Sequence, residues 1–224
     1  SKSVKSYQQS LEKIEKEFEP YATCEDLVAL FDSKYSESPD DLSLLKRIVD
    51  VLNKKECTGA EVYFNAASAV HAAEPTASSS FSMGNLSVNK GKFNAAIGFY
   101  NQAMSLTDSD IDKSKYLLGL SQANVKLGKL STARDLAYQS AKLNPAWGKP
   151  YVLISDMYLN SVSTCGINVF EQGMVYSAAI YKYIKANKKE SSLREQGTKK
   201  MTLNTKYLPA KNDAFFLGAK DGDG

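Results

Sequence analysis

FSMGNLSVNKGKFNAAIGFYNQAMSL, Phe81 to Leu106, returns in altered form as LGLSQANVKLGKLSTARDLAYQSAKL, Leu118 to Leu143. Gly91-Lys92-Phe93-x-x-Ala96 lines up with Gly128-Lys129-Leu130-x-x-Ala133, a displacement of 128 − 91 = 37 positions. A period of this length marks stacked helical hairpins, because one hairpin cannot bury its apolar side alone. The predicted class is all-α, and function is expected on a surface rather than in a deep pocket.

The chain has 224 residues, 43% of them hydrophobic, enough for a substantial core. Its 28 basic residues are interspersed with 25 acidic ones, and a formal charge of +3 gives no basis for polyanion binding. No apolar run approaches the roughly 18 residues needed to cross a bilayer. Working outward from the repeat, Val4, Tyr7, Leu11, Ile14 and Phe18 form a stripe on a helix ended by Pro20. Leu27, Leu30, Phe31 and Tyr35 precede the turn signal Ser36-Glu37-Ser38-Pro39-Asp40, and Leu42, Leu45, Ile48, Val49 and Leu52 follow it. After Thr58-Gly59, Val62, Ala66, Ala69, Val70 and Ala73 mark a helix of small residues stopped near Pro75.

Cys24, Cys57 and Cys165 follow neither a Cys-x-x-Cys nor a zinc spacing, so no metal site is expected. With residues 24–35 and 40–53 read as an antiparallel hairpin, Cys24 and Cys57 come to the same end, where either a disulfide or two buried thiols would fit. A bridge would stabilise the chain by roughly 3–4 kcal/mol on the chain-entropy account and would imply an oxidising compartment.

The run from Ala77 to Asp108 resembles a tetratricopeptide repeat from end to end. Phe81, Met83 and Gly84 stand at that family's aromatic, leucine and glycine positions, and Gly91-Lys92-Phe93 at its inter-helix turn. Ala96, Tyr100 and Ala103 stand at the alanine, aromatic and alanine of its second helix. The next unit keeps Leu118, Gly128, Ala133 and Leu143-Asn144-Pro145 but has Ser121 at the small-residue position and Ala137 where an aromatic is usual, so looser packing is expected there. A third opens with Tyr151, Ile154, Ser155 and Tyr158, and its turn stretches from Asn160 to Phe170 before a second helix from about Glu171 to Asn187.

The resemblance implies a right-handed α-α superhelix, a solenoid of antiparallel helix pairs. The expected divisions are an N-terminal helix or cap (1–20), degenerate hairpins (21–76), repeat units at 77–108, 112–145 and 146–188, the last with a long loop, and a capping helix and tail (189–224). LNPAWGKPYVLISDMYLNSVSTCG and NDAFFLGAKDGD are also similar to exported tetratricopeptide proteins of Bacteroidetes. That likeness implies a periplasmic or cell-envelope location and a glycine-rich continuation past Gly224.

His71 sits in an alanine-rich helix without a motif carboxylate, and no nucleophile elbow, P-loop or His-Glu-x-x-His occurs, so no enzyme activity and no cofactor are expected. Asp40-Asp41 and Asp108, Asp110 and Asp112 read as helix-capping acids. Carried over position by position, the resemblance puts Phe81, Asn85, Val88 and Asn89 on a concave wall, then Leu118, Gln122, Val125 and Lys126, then Val152, Asp156, Leu159 and Asn160. Amides there can bond the main chain of an extended peptide while aliphatic neighbours contact its side chains. The expected function is a non-catalytic scaffold for a protein or peptide partner, with no nucleic acid expected on charge and a glycan-binding accessory role as the alternative. Some family members grip a terminal carboxylate with lysine, arginine and asparagine. Phe81, Leu118, Val152 and Asp156 stand where such cations would be needed, so no clamp of that kind is expected. Trp147 and Tyr151 fit either a sugar-stacking site or a staple between helices. The lysines from Lys182 to Lys206 read as a solvated capping face.

Overall fold

The computed structural model describes residues 17–18 and 20–209. Among the described residues there are eleven α-helices, two short 3-10 turns and no strand. Val4, Tyr7, Leu11 and Ile14 of the N-terminal stripe lie outside the described residues, as does Phe215-Phe216-Leu217. The chain divides into two compact units, residues 1–86 and 87–224.

In the first unit, α1 (Cys24–Glu37), α2 (Leu42–Lys54) and α3 (Glu61–Ala73) precede α4 (Ala77–Asn89), whose final turn passes into the second unit. Thr23 starts α1 with a capping box: Asp26 N–H donates to its hydroxyl and Thr23 N–H donates to the Asp26 carboxylate at 3.0 Å. The bonds from Thr23 hold the Asp26 carboxyl below its usual range. Asp41 starts α2 by accepting from Ser43 N–H and Leu44 N–H at 2.9 and 3.2 Å.

The three helices pack on one another and bury Leu27 and Phe31 of α1 with Leu45, Ile48 and Leu52 of α2. Each fully buried side chain of this size contributes roughly 1.5–3 kcal/mol. On α3 the buried stripe is Val62, Tyr63, Ala66, Ala67 and His71, and Ala73 is exposed. It is rotated from the stripe the sequence suggests, because Tyr63 has the larger apolar area and takes the interior position.

The helix ends carry the repeat most plainly. At the end of α4, Lys92 N–H bonds Ser87 C=O at 2.8 Å and Gly91 N–H bonds Val88 C=O at 2.9 Å, with Gly91 at φ 70°. The turn 37 positions on repeats this with Lys129 to Asn124 at 2.9 Å and Gly128 to Val125 at 3.0 Å, and Gly128 at φ 73°. Both are left-handed helix stops that favour glycine. The end of α2 has the same pair of bonds, Cys57 to Leu52 at 2.8 Å and Glu56 to Asn53 at 3.1 Å, but Glu56 takes the left-handed place at φ 59°. Relief of about 1–2 kcal/mol of steric cost, less about 0.4–1 kcal/mol for a more flexible unfolded chain, predicts that Glu56→Gly is stabilising by up to about 1.5 kcal/mol. A urea midpoint that falls instead of rising would refute this.

The second unit continues with α5 (Phe93–Ser105), α6 (Asp110–Lys126), α7 (Leu130–Leu143), α8 (Lys149–Asn160), the single turn α9 (Val162–Cys165), α10 (Val169–Lys189) and α11 (Arg194–Asn204). Packing runs α5 on α6, α6 on α7, α7 on α8, α8 on α10 and α10 on α11. Where α6 crosses α7, the fully buried Ser121 hydroxyl donates to Ala133 C=O at 2.6 Å. Ser155 does the same to Ala179 C=O at 2.5 Å where α8 meets α10. Ser114 and Ser140 exchange hydroxyl-to-carbonyl bonds at 2.9 and 2.7 Å across α6 and α7.

These bonds overturn the expected loose packing of the Ser121 unit. A hydroxyl is small enough for the close approach, and its one donor is satisfied there. The ring of Tyr100 on α5 lies against Gly119 of α6, and a Cβ at Gly119 would come within 2.8 Å of it. The stretch from Asn160 to Phe170 also differs from the open loop expected, since α9 forms within it and Ser161 Oγ bonds Met157 C=O at 2.8 Å.

Candidate functional site

Each hairpin of the second unit presents part of its first helix to solvent. On α6, Gln122 and Lys126 are exposed and one turn apart, beside half-buried Val125. On α8, Asn160 is exposed next to half-buried Leu159, and Val152 is half-buried. Val125 and Val152 both pack on a cluster that includes Ala133, Ala137, Ile154 and Met157, so each spends part of its surface on the core. Val88 is half-buried and Asn89 exposed at the end of α4. In the first unit Phe81 is half-buried and Asn85 exposed.

Two expected wall residues are placed otherwise. Leu118 is only 6% exposed. It lies one turn from Gln122 and Lys115, but its aliphatic side chain is withdrawn from water by packing, as apolar area favours. Asp156 is engaged within the fold: it accepts a hydrogen bond from the Tyr183 hydroxyl and pairs with Lys200 Nζ at 2.5 Å. Burial, and then the bond to Asp156, pushes the Tyr183 hydroxyl above its usual range. Lys200 comes from α11, 44 positions downstream, so α11 closes part of the α8 face. No local signal in the sequence carries that contact.

The acidic clusters are caps. Ser109 caps α6 by accepting from Asp112 N–H at 3.2 Å, and Asp112 pairs with Lys115 at 2.9 Å. The bonds from Lys115 and Ser109 lower the Asp112 carboxyl. Among the described residues no three His, Cys, Asp or Glu side chains converge as a metal site would require, and no helix is long and apolar enough to cross a membrane. His71 Nδ1 lies 2.9 Å from Ser79 Oγ, but Ser79 is bound into a reciprocal cap, accepting from Thr76 N–H at 2.9 Å and donating its own N–H to Thr76 Oγ1 at 3.0 Å. That arrangement joins α3 to the start of α4.

A second face of α8 carries aromatic groups. Tyr151 and Tyr158, seven positions apart, lie on one side of the helix, away from Val152 and Asp156. Tyr151 is buried, with Lys185 Nζ 4.6 Å from its ring centre, and Trp147 is half-buried. Lys182 Nζ lies 5.4 Å from the Tyr138 ring of α7 and 5.2 Å from that of Tyr181. Burial, and then the neighbouring Tyr138 hydroxyl, raises the Tyr158 hydroxyl against the opposing fields of Lys182 and Arg134. Part of the lysine run is thus held against rings and a carboxylate rather than simply solvated. A groove of about 380 Å³ lies beside Tyr158, lined also by Cys165, Glu171, Met174, Val175 and Ala178.

Together these features define an all-α helical solenoid fold of tetratricopeptide type that presents exposed side-chain surfaces. Two solved structures of MamA share the fold. One superposes with a TM-score of 0.55 at 12% identity, covering 79% of this chain and 91% of that one. The other gives 0.57 at 12% identity, covering 80% and 90%. At this identity the likeness concerns the fold alone. No family model and no curated protein matches the chain.

Proposed function

We propose that this protein is a non-catalytic scaffold that holds a protein or peptide partner along the exposed first-helix faces of its hairpins. Supporting this most directly is the repeated pairing of an exposed amide or cation with a half-buried aliphatic group: Gln122 and Lys126 with Val125 on α6, and Asn160 with Leu159 on α8. Such a face can bond a peptide backbone while its aliphatic groups take side chains. The stacked helices hold it in place beforehand, so little ordering entropy is lost on binding. The Cys24–Cys57 bridge supports an oxidising setting such as the periplasm or cell envelope. Sugar stacking draws no comparable support, because Tyr151 is buried and Lys185 sits over its ring.

The test is capture of a partner from the source cells on immobilised protein, repeated with Gln122→Ala, Lys126→Ala and Asn160→Ala combined. A partner held with micromolar affinity or better should be retained at least about tenfold less by the triple variant. Its melting temperature should move by less than about 2 °C, since all three side chains are exposed. Undiminished capture by the variant would remove this face from the proposal.

A further inference from the structure

The groove on the aromatic face of α8 has a definite construction. Its floor is Tyr158, with Tyr151 two turns back on the same side of the helix. One wall is α10, where residues 171, 175, 178, 182 and 185 follow three- and four-residue steps and so share a face. Beyond Ala178 the same face reaches α7, where Lys182 Nζ lies over the Tyr138 ring.

Along the α10 wall the chemistry changes. Met174, Val175 and Ala178 line the groove with apolar groups, and the same face of α10 continues one turn on with Lys182, whose field reaches the Tyr158 hydroxyl, and then Lys185. Each lysine lies over a tyrosine ring, and among the described residues neither has a carboxylate within ion-pair distance. At the far end Glu171 is occupied, accepting from Ile167 N–H at 2.6 Å. Next to that end Ile167 and Val169 are 96% and 87% exposed.

We infer that this groove is a second docking site, for a partner's peptide segment in which apolar residues are followed by acidic ones. The apolar side chains lie on Tyr158, Met174, Val175 and Ala178, and the carboxylates meet Lys182 and Lys185. This inference deepens the scaffold reading and rests on it. Charge complementarity fixes the direction, because carboxylates are drawn to the lysine end and repelled by Glu171 at the other. The volume of about 380 Å³ accommodates a few side chains and falls within the range of binding pockets. A peptide suits it better than an anionic lipid surface, because the two ammonium groups lie over tyrosine rings instead of projecting freely into solvent.

The probe is a fluorescein-labelled octapeptide of four leucine or valine residues followed by four glutamates, measured by fluorescence anisotropy at low salt. Binding is expected at tens of micromolar. It should weaken about tenfold in Lys182→Gln with Lys185→Gln, and by a similar factor when the apolar half of the peptide is replaced by serine. It should be unchanged in Lys126→Ala, which lies on the other face. Circular dichroism and the melting curve of each variant establish that it is folded, and Ala178→Glu, which blocks the apolar half without removing a cation, provides a second route to loss.

Equal affinity in the folded double-lysine variant would overturn the inference, as would dependence on Lys126 or no binding at about 1 mM. Binding of vesicles rich in anionic lipid, without binding of the peptide, would also overturn it and would indicate a membrane surface instead. A natural partner still captured through Gln122 and Lys126 while the octapeptide fails would leave the scaffold reading intact and remove only this groove.

Discussion

Tyr100→Ala should lower the stability of the second unit by about 3–5 kcal/mol, the range for deleting a large buried aromatic. Its side chain is 1% exposed and its ring lies against Gly119, with the ring carbons 2.8 to 3.1 Å from where a Cβ would stand. Gly119→Ala should therefore cost about 1–3 kcal/mol by overpacking, and much less in the Tyr100→Ala background, where space has opened. Urea unfolding of the two single variants and the double variant measures this coupling; strictly additive losses would mean that ring and glycine do not constrain one another.

The same residue gives a pH dependence. Burial pushes the Tyr100 hydroxyl up to about 12 from an ordinary 10.0. Above pH 10 the unfolded chain releases this proton while the folded chain keeps it, so the folded state binds more protons and stability falls as pH rises. The contribution is fully present below pH 10 and is lost by about pH 12, a change of roughly 2–3 kcal/mol for a shift of this size. Tyr183, also raised, adds in the same direction. Tyr100→Phe should flatten the alkaline limb by the share due to Tyr100, which is read from melting curves between pH 8 and 11.

Opening the bond between Cys24 and Cys57 should cost the first unit about 3–4 kcal/mol on the chain-entropy account. The bridge spans a separation of 33 residues, with the two Cα atoms 5.5 Å apart. It ties the start of α1 to the chain just past α2. Cys24→Ser with Cys57→Ser, or a reductant on the native protein, should accelerate amide exchange through residues 24–57 and leave residues 114–141 unaffected. Equal exchange in the oxidised and reduced states would show that α1 and α2 hold together without the bond.

Most of the helical framework is legible in the sequence because it is written in local signals. Gly91 and Gly128 are recognisable as helix stops, since the left-handed backbone they adopt disfavours any side chain. Asp41 and Thr23 announce helix starts through donors only a few residues away. Ser121 is harder to read, because a polar residue at a crossing point is costly unless an acceptor faces it, and the acceptor, Ala133 C=O, belongs to another helix. Glu56 gives no sign of its left-handed turn, which follows from the hydrogen bonds that end α2.

The candidate surface is legible only in part. Gln122, Lys126 and Asn160 are exposed as helical spacing suggests, whereas Leu118 is buried and Asp156 is held by Tyr183 and Lys200. The groove beside Tyr158 has no counterpart in the repeat pattern, because its parts come from α8, α9 and α10 at unrelated positions. Order along the chain is enough to make this protein all-α and to set where most of its helices begin and end, since helix periodicity, caps and glycine stops act over a few residues. Which exposed groups stay open to a partner is settled by the packed helices alone, because a charge or an aliphatic side chain is free or occupied according to what distant segments bring against it.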